Sequence, residues 1–479
     1  MNILAVDLGS NEIKVAISSF DGVNIEIIKI ASVKSCGIKS GKITSIEDAS
    51  DAVKQAIAKA KEKLSIKIDK FVISVSNAYT ESFYGNSELM LEKGAQISIN
   101  DITRALENAK STANLPKDYT AIHVLPYKFR VNNNDTVDDP LGMCASKIQL
   151  EANVIAINID DLNNIKRILE LAQISNYELV SSIYANCLYC LGKNDLENGV
   201  LIIDGGALVC DIGIYSKNSL VLSTAIPIGS MHVSKDVASL LNSNLDSADK
   251  IKTQITKYDK DAILEYTPDS TCVVERTSVE VVKKCIDMRI KESLDLIAAA
   301  VQKQIYKLFT DKQEESICAY SSVLFTGGYF KIYDISEMAY PIFGNKPIRT
   351  KIAKNKVFLD INSNDEDANK IFTNPEFTCI LGLLMYANGL HTNYELALGD
   401  KIKIKHKAKD YNTIKPFVNN IEKNVSENTE KKSNTADIAT NKQELINEMR
   451  LEVVQKEHSD GGFFKTTWNK FIGFLEKFF

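Results

Sequence analysis

Tryptophan and histidine are scarce in this chain: one Trp and five His among 479 residues. His123, His232, His391, His406 and His458 make no ligand cluster, which argues against a histidine-built metal centre. The nine cysteines are scattered, and only Cys187 and Cys190 form a C-x-x-C, with no second pair or nearby His. That pattern points to reduced thiols in a cytosolic protein rather than a disulfide framework. No run is apolar for the roughly 20 residues that cross a bilayer. The richest, Cys379 to Leu390 (CILGLLMYANGL), is expected to be a buried helix. The opening MNILAVDLGS has no basic stretch followed by an apolar run and cleavage site, so a secretory leader is not expected. Positive charge is not in excess: the net charge is −5 and the pI about 5.8. No global field recruits nucleic acid, and none is expected as a partner.

Hydrophobic residues make up 44% of the chain, ample for a core, and its 479 residues suggest two to four structural units. To about residue 395 strand-like and helix-like segments alternate, the signature of α/β architecture. Ile3–Val6, Val15–Ser18, Ile25–Ile30 and Phe71–Val75 predict strands, with turns at Gly9 and Asp21-Gly22. Glu47–Leu64 predicts a helix, since Ala49, Ala52, Val53, Ala56, Ile57, Ala60 and Leu64 recur at helical spacing. Two segments resemble each other: LAVDLGS at Leu4–Ser10 and LIIDGGA at Leu201–Ala207, each followed by a second strand, Val15–Ser18 or Ile212–Tyr215. A duplicated strand–turn–strand unit predicts two similar lobes facing each other.

The end of the chain differs. Residues 401–460 are rich in Asn, Lys, Glu, Ser and Thr, a composition that buries too little apolar surface to offset ordering entropy. A flexible tether is expected there, with a transient helix at Asn441–Val454 and a span on the order of 40 Å. On a helical wheel of the last stretch, 461–479, Phe464, Trp468, Phe471, Ile472, Leu475, Phe478 and Phe479 share one face. Lys465, Asn469, Lys470, Glu476 and Lys477 share the other. Such a helix suits the plane of an anionic membrane surface, with its aromatics in the acyl boundary and its lysines on headgroups. An amphipathic helix docked on the protein's own core has the same pattern.

Three glycine turns follow strands. Asp7-Leu8-Gly9-Ser10-Asn11 aims backbone N–H groups, a hydroxyl and a carboxylate at one spot. That arrangement can hold a phosphate and, through Asp7, a hydrated Mg²⁺. Lys14 on the next strand could reach the same phosphates. Taken alone, the motif is equally a plain hairpin turn. Asp204-Gly205-Gly206 is the matching turn, with Asp204 a second candidate for Mg²⁺. Gly327-Gly328 follows the strand Ser322–Thr326 and leaves room for a flat purine.

Three such turns in this order resemble the actin, sugar-kinase and Hsp70 superfamily. A narrower resemblance rests on Ile122-His123-Val124-Leu125-Pro126, Asp139-Pro140-Leu141-Gly142-Met143, Ile226-Pro227-Ile228-Gly229, Thr326-Gly327-Gly328 and the amphipathic C-terminus. These are similar to the FtsA family of bacterial cell-division proteins over essentially the whole chain. The resemblance implies an actin-like two-lobed α/β fold. Residues 1–78 and 159–195 would form the first lobe and 79–158 an inserted α+β subdomain. Residues 196–230 and 310–395 would form the second-lobe core, and 231–309 a subdomain binding the tail of the tubulin-like protein FtsZ. It implies ATP held by the three turns and Gly229, with Mg²⁺. It also implies self-assembly into filaments, FtsZ and other divisome proteins as partners, and a peripheral position on the cytoplasmic side of the membrane at the division site. Arg289, within the helix-like run Val281–Val301, matches a family arginine that receives the FtsZ tail, whose acidic character suits a guanidinium fork.

The chain departs from the family at the second phosphate loop. Leu208 stands at a Gly position, Val209 at a Thr position, and Ser230 replaces a Gly after Gly229. Leu adds bulk, and Val removes a hydroxyl that could bond phosphate or Mg²⁺. ATP hydrolysis is therefore expected to be weak or absent. Other readings stay open here. A kinase of the superfamily would need a carboxylate base in the cleft, which the sequence does not single out. A chaperone-type ATPase would carry a peptide-binding domain after the second lobe, and a pilus-assembly relative usually lacks the tail and the DPLGM run.

Overall fold

The computed structural model describes residues 1–405, apart from 23, 133–135, 260, 269–273, 310–317, 333, 351–358 and 362–370, together with Val453 and Val454. The amphipathic stretch 461–479 and nearly all of the tether lie outside the described residues. Of the helix expected at Asn441–Val454, only Val453–Val454 is described, as a two-residue strand.

The first lobe grows from one hairpin. Asn2–Leu8 pairs antiparallel with Glu12–Phe20, setting Asp7 opposite Lys14. Ile25–Lys34 extends that side, and Leu359–Ile361 joins its outer edge in parallel. On the other side Lys70–Val75 and then Tyr177–Ser181 add in parallel, completing six strands. Ile3, Leu4, Ala5 and Val6 are all fully buried, as expected where both faces of a sheet are covered. The helix Ile46–Lys61 covers one face with Ala49, Ala52, Val53, Ala56 and Ala60. Ser45 caps it by accepting from the Asp48 N–H.

The second lobe repeats the plan. Val200–Gly205 pairs antiparallel with Cys210–Ser216, which sets Asp204 opposite Asp211. Ser322–Thr326 lies parallel on its other side. Ser219–Ile226 and Ile348–Arg349 complete five strands. The helices Ser230–Leu241, Leu245–Gln254 and Val279–Leu308 supply much of its core.

Between the lobes' first units sits an antiparallel sheet of Thr80–Gln96, Tyr119–Val131 and Cys144–Asn158, backed by the helix Ile99–Thr112. It is fastened to the first lobe by His123, whose Nε2 accepts from the Ser181 N–H at 3.1 Å; its Nδ1 lies 2.7 Å from Glu395 Oε1, on a neighbouring strand of the same sheet. It is fastened to the second lobe by Ser82 and Ser223 (2.9 Å) and by Asn153 Nδ2 donating to Leu220 O (3.0 Å).

Two expected boundaries move. The helix Thr378–Ala387 is buried along its whole length, as its composition predicts, but it packs into the first-lobe core rather than the second. An apolar run of this kind says that a helix is buried, not against which lobe. The tether also starts later than residue 401. Lys401–Ile404 is a strand antiparallel to Tyr394–Ala397, and both extend the inserted sheet. Ile402 packs against that sheet's core, and Lys403 bonds Glu178 at 2.7 Å. Alternating Lys and Ile is as good a half-buried strand as it is a polar linker.

Candidate functional site

The two hairpin turns and the third glycine turn meet in one cleft between the lobes, about 510 Å³ in volume. Asp7, Gly9, Ser10, Asn11 and Lys14 line it from the first lobe; Asp204, Gly205, Gly206, Gly327 and Gly328 line it from the second. Sequence reasoning thus brought together ten residues that the fold places on one surface. Gly229 does not line the cleft. It supports the second turn from behind: a Cβ there would lie 2.5 Å from Gly206 O and 2.6 Å from Ala207 C. Its neighbour Ser230 reaches the lining instead.

Each carboxylate has its own holder. Asp7 Oδ1 accepts from Ser74 Oγ at 2.9 Å and from Cys379 Sγ at 3.4 Å. Burial, reinforced by Asp7 and Asp204, pushes the Cys379 thiol far up, so the sulfur remains a protonated donor. Asp204 Oδ2 accepts from Asn186 Nδ2 at 2.7 Å. Burial, and then the Asp7 charge, push the Asp204 carboxyl up to about 6, against the opposing pull of Asn186 and Lys14. Asp211 is pushed well above the carboxylate range by burial and then by Asp204, and its Oδ1 has no hydrogen-bond partner among the described residues. Burial and like charge thus disfavour ionisation of Asp204 and Asp211 on this floor, and among the described residues no cluster of three His, Cys, Asp or Glu side chains is placed to hold a bare metal ion.

Gly327 has a use beyond leaving room for a purine. It has φ +83°, and a Cβ there would lie 2.3 Å from Asp204 Oδ1 and 2.4 Å from Gly205 O. Only glycine lets Asp204 sit where it does.

The family models decide between the readings left open by sequence. Residues 77–156 match the SHS2 domain inserted in FtsA, and residues 201–382 match cell division protein FtsA. The chain belongs to the FtsA family. It is 27% identical over 442 residues to the cell division protein FtsA of Helicobacter pylori strain J99, covering 85% of this chain and 86% of the relative. Against FtsA of Bacillus subtilis it is 24% identical over 301 residues, 62% of this chain and 68% of the relative. Among solved structures, the PilM–PilN type IV pilus biogenesis complex superposes with TM-score 0.53 at 12% identity, covering 81% of this chain and 98% of that one. That likeness concerns fold alone, and the fold is actin-like, with the inserted subdomain where the FtsA sequence pattern puts it.

The departure read from the sequence at the second loop persists in three dimensions. The turn between Gly205 and Cys210 is closed by Gly206 N–H donating to Val209 O at 2.9 Å. Leu208 and Val209 both line the cleft. The pairing of Asp204 with Asp211 fixes the register, so no slip brings glycine to those positions. Sequence reasoning missed Lys252, Asp249, Lys331 and Glu376, which also line the cleft. Lys252 is nearly buried and bonds Asp249 Oδ1 at 2.5 Å and Ser234 Oγ at 2.8 Å. No sequence signal marks it, because its burial depends on Asp249 and Ser234 closing around it. Arg289 lies on the long helix outside the cleft. Its guanidinium is taken by Asp236 (Nε–Oδ2 2.5 Å, Nη2–Oδ1 3.0 Å) and Glu292 (2.5 Å), and Asp236 above all holds it more basic than usual.

Proposed function

We propose that this cell-division protein is a nucleotide-dependent adaptor. In this reading it holds ATP with Mg²⁺ in the cleft and hydrolyses it slowly or not at all. It assembles into filaments on the cytoplasmic face of the membrane, tethers FtsZ through the FtsZ tail and helps recruit other divisome proteins. The observation that carries the nucleotide half is the pair of hairpin turns facing each other across the cleft. Their carboxylates, Asp7 and Asp204, stand beside glycines that leave the backbone open to phosphate. Asp7 and Asp204 would hold the hydration shell of the metal rather than the bare ion, and the bound cation would screen the acids that now repel each other. Lys14 would face the phosphates, Lys331 and Glu376 the nucleoside. Slow hydrolysis rests on Leu208 and Val209, which replace polar, compact groups at the phosphate end.

The adaptor half rests on the tail. Phe464, Trp468, Phe471, Ile472, Leu475, Phe478 and Phe479 form its apolar face, with Lys465 and Lys470 among the cations opposite. The polar segment follows the outer strand Lys401–Ile404 of the inserted sheet, and Val453–Val454, shortly before the amphipathic stretch, pairs antiparallel with Ile263–Leu264. Arg289 would contribute to FtsZ binding only by sharing or exchanging the carboxylates that now hold it.

The test is co-sedimentation with anionic vesicles, using the full chain and a truncation ending at Asp460, with FtsZ added. The reading expects only the full chain to sediment and to carry FtsZ with it. If both forms stay in the supernatant, the tail is a core helix and the adaptor reading is wrong.

A further inference from the structure

The Asn186 amide that holds Asp204 is itself the end of a chain of buried polar side chains behind the second turn. Thr326, Thr378 and Asn186 are at most 1% exposed. Thr326 Oγ1 lies 2.9 Å from Thr378 Oγ1, Thr378 Oγ1 donates to Asn186 Oδ1 at 2.6 Å, and Asn186 Nδ2 donates to Asp204 Oδ2 at 2.7 Å. The direction is fixed by chemistry. Asp204 as a carboxylate can only accept, so the amide must turn its NH₂ toward it. The second amide proton goes to Ser182 O at 3.0 Å, and the remaining amide oxygen needs a donor, which Thr378 supplies.

The four residues come from four places. Thr326 ends the strand before Gly327; Thr378 opens the helix Thr378–Ala387; Asn186 sits mid-way along the helix Ser182–Cys190; Asp204 is the penultimate residue of its strand. The two helices touch backbone to backbone, since a Cβ on Gly382 would lie 1.9 Å from Ala185 O. Asp204 is thereby boxed: Oδ1 against Gly327 and Oδ2 against Asn186.

We propose that Asn186, oriented by Thr378, is a positioning residue that aims the Asp204 carboxylate at the metal–phosphate end of a nucleotide. The inference deepens the nucleotide reading above and rests on it. Asn186 touches no ligand itself. Its amide prevents Asp204 from rotating toward the crowded floor, and its own orientation depends on which way the paired helices present Thr378. The second phosphate turn thus takes its geometry from the packing of these two helices.

The experiment measures ATP binding to the full-length protein with excess Mg²⁺ and again in EDTA, alongside thermal unfolding. Variants are Asn186→Leu, Thr378→Val and Thr378→Ser. Wild type should bind more tightly with Mg²⁺. Asn186→Leu should lose about tenfold of the Mg²⁺-dependent affinity, the worth of one charge-assisted hydrogen bond, while affinity in EDTA changes little. Thr378→Val should show part of that loss, and Thr378→Ser, which keeps the hydroxyl, should recover it. The inference is overturned if Asn186→Leu binds Mg²⁺–ATP as wild type does, or if both affinities fall together with the melting temperature. Should Asn186→Leu not fold, equal Mg²⁺-dependent affinity in Thr378→Val and Thr378→Ser overturns it. If wild type binds ATP under neither condition, the nucleotide reading itself is wrong.

Discussion

Gly382→Ala should destabilise the protein although it improves a helix. In an unconstrained helix interior, Ala is favoured over Gly by up to about 1 kcal/mol. Gly382 lies within the helix Thr378–Ala387, where the whole backbone is buried. An added methyl would lie 1.9 Å from Ala185 O, 2.4 Å from Ala185 C and 3.0 Å from Ala185 Cα. These are backbone atoms of the partner helix, which cannot swing aside as a side chain does. The helices must part, and forcing extra volume into a packed core costs roughly 1–3 kcal/mol. Parting them also stretches the Thr378–Asn186–Asp204 chain, which ends in a bond to a carboxylate worth about 1.5–3 kcal/mol. Against the propensity gain, the net loss is roughly 2–5 kcal/mol. Urea unfolding of the full-length variant, followed by circular dichroism, measures it as a lower midpoint. A midpoint equal to or above wild type refutes the backbone contact on which the argument stands.

Three further outcomes follow from the same geometry. The Asp204 carboxyl is raised to about 6 in the folded protein, so the unfolded chain gives up its proton first. Its stabilising contribution is present below about pH 4 and is lost as pH rises toward 6. The stability difference between wild type and Asp204→Asn should therefore shift against wild type across that window, and a flat difference argues against the burial that causes the shift. His123→Leu should cost on the order of 3 kcal/mol in urea unfolding, because Glu395, fully buried, keeps as hydrogen-bond partners among the described residues only the Tyr184 and Tyr386 hydroxyls. Unchanged stability would mean that the buried His123–Glu395 pair does not help hold the inserted sheet together. Arg289→Glu should destabilise the protein by about 1–3 kcal/mol, because Asp236 and Glu292 lose their shared cation and gain a third acid; a variant that unfolds as wild type does contradicts the bidentate pairing.

What could be seen in the sequence was local and repeated. Asp7 and Asp204 each follow a buried apolar strand and precede a glycine turn, so hairpin, lobe and cleft floor could be anticipated from one pattern met twice. Ser322–Thr326 was found at its true ends because a short apolar run closed by Gly-Gly has no other good reading. Helix partners were harder. The run around Cys379 announced a buried helix, but Gly382 against Ala185 is a contact between residues almost two hundred positions apart, and no periodicity encodes it. Lys401–Ile404 failed for the opposite reason. Its alternation is visible, yet its pairing partner Tyr394–Ala397 matters only because an inserted sheet offers it an edge. Lys252 was overlooked because a single lysine in a helix carries no mark of burial until Asp249 and Ser234 close around it.

These long-range contacts share a direction. The helix Thr378–Ala387 begins at the cleft, where Cys379 touches Asp7 and Thr378 reaches Asp204 through Asn186. It ends a few residues before Thr392 and Glu395, which bond Tyr184 and His123. From there the strands Tyr394–Ala397 and Lys401–Ile404 carry the chain along the inserted sheet toward the segment that leads to the tail. One continuous stretch thus touches Asp7 directly, reaches Asp204 through Asn186, and continues into the edge strands of the inserted sheet. Only the short connection 388–393 separates this helix from Tyr394–Ala397, so the cleft and the edge of the inserted sheet are joined by one short stretch of chain.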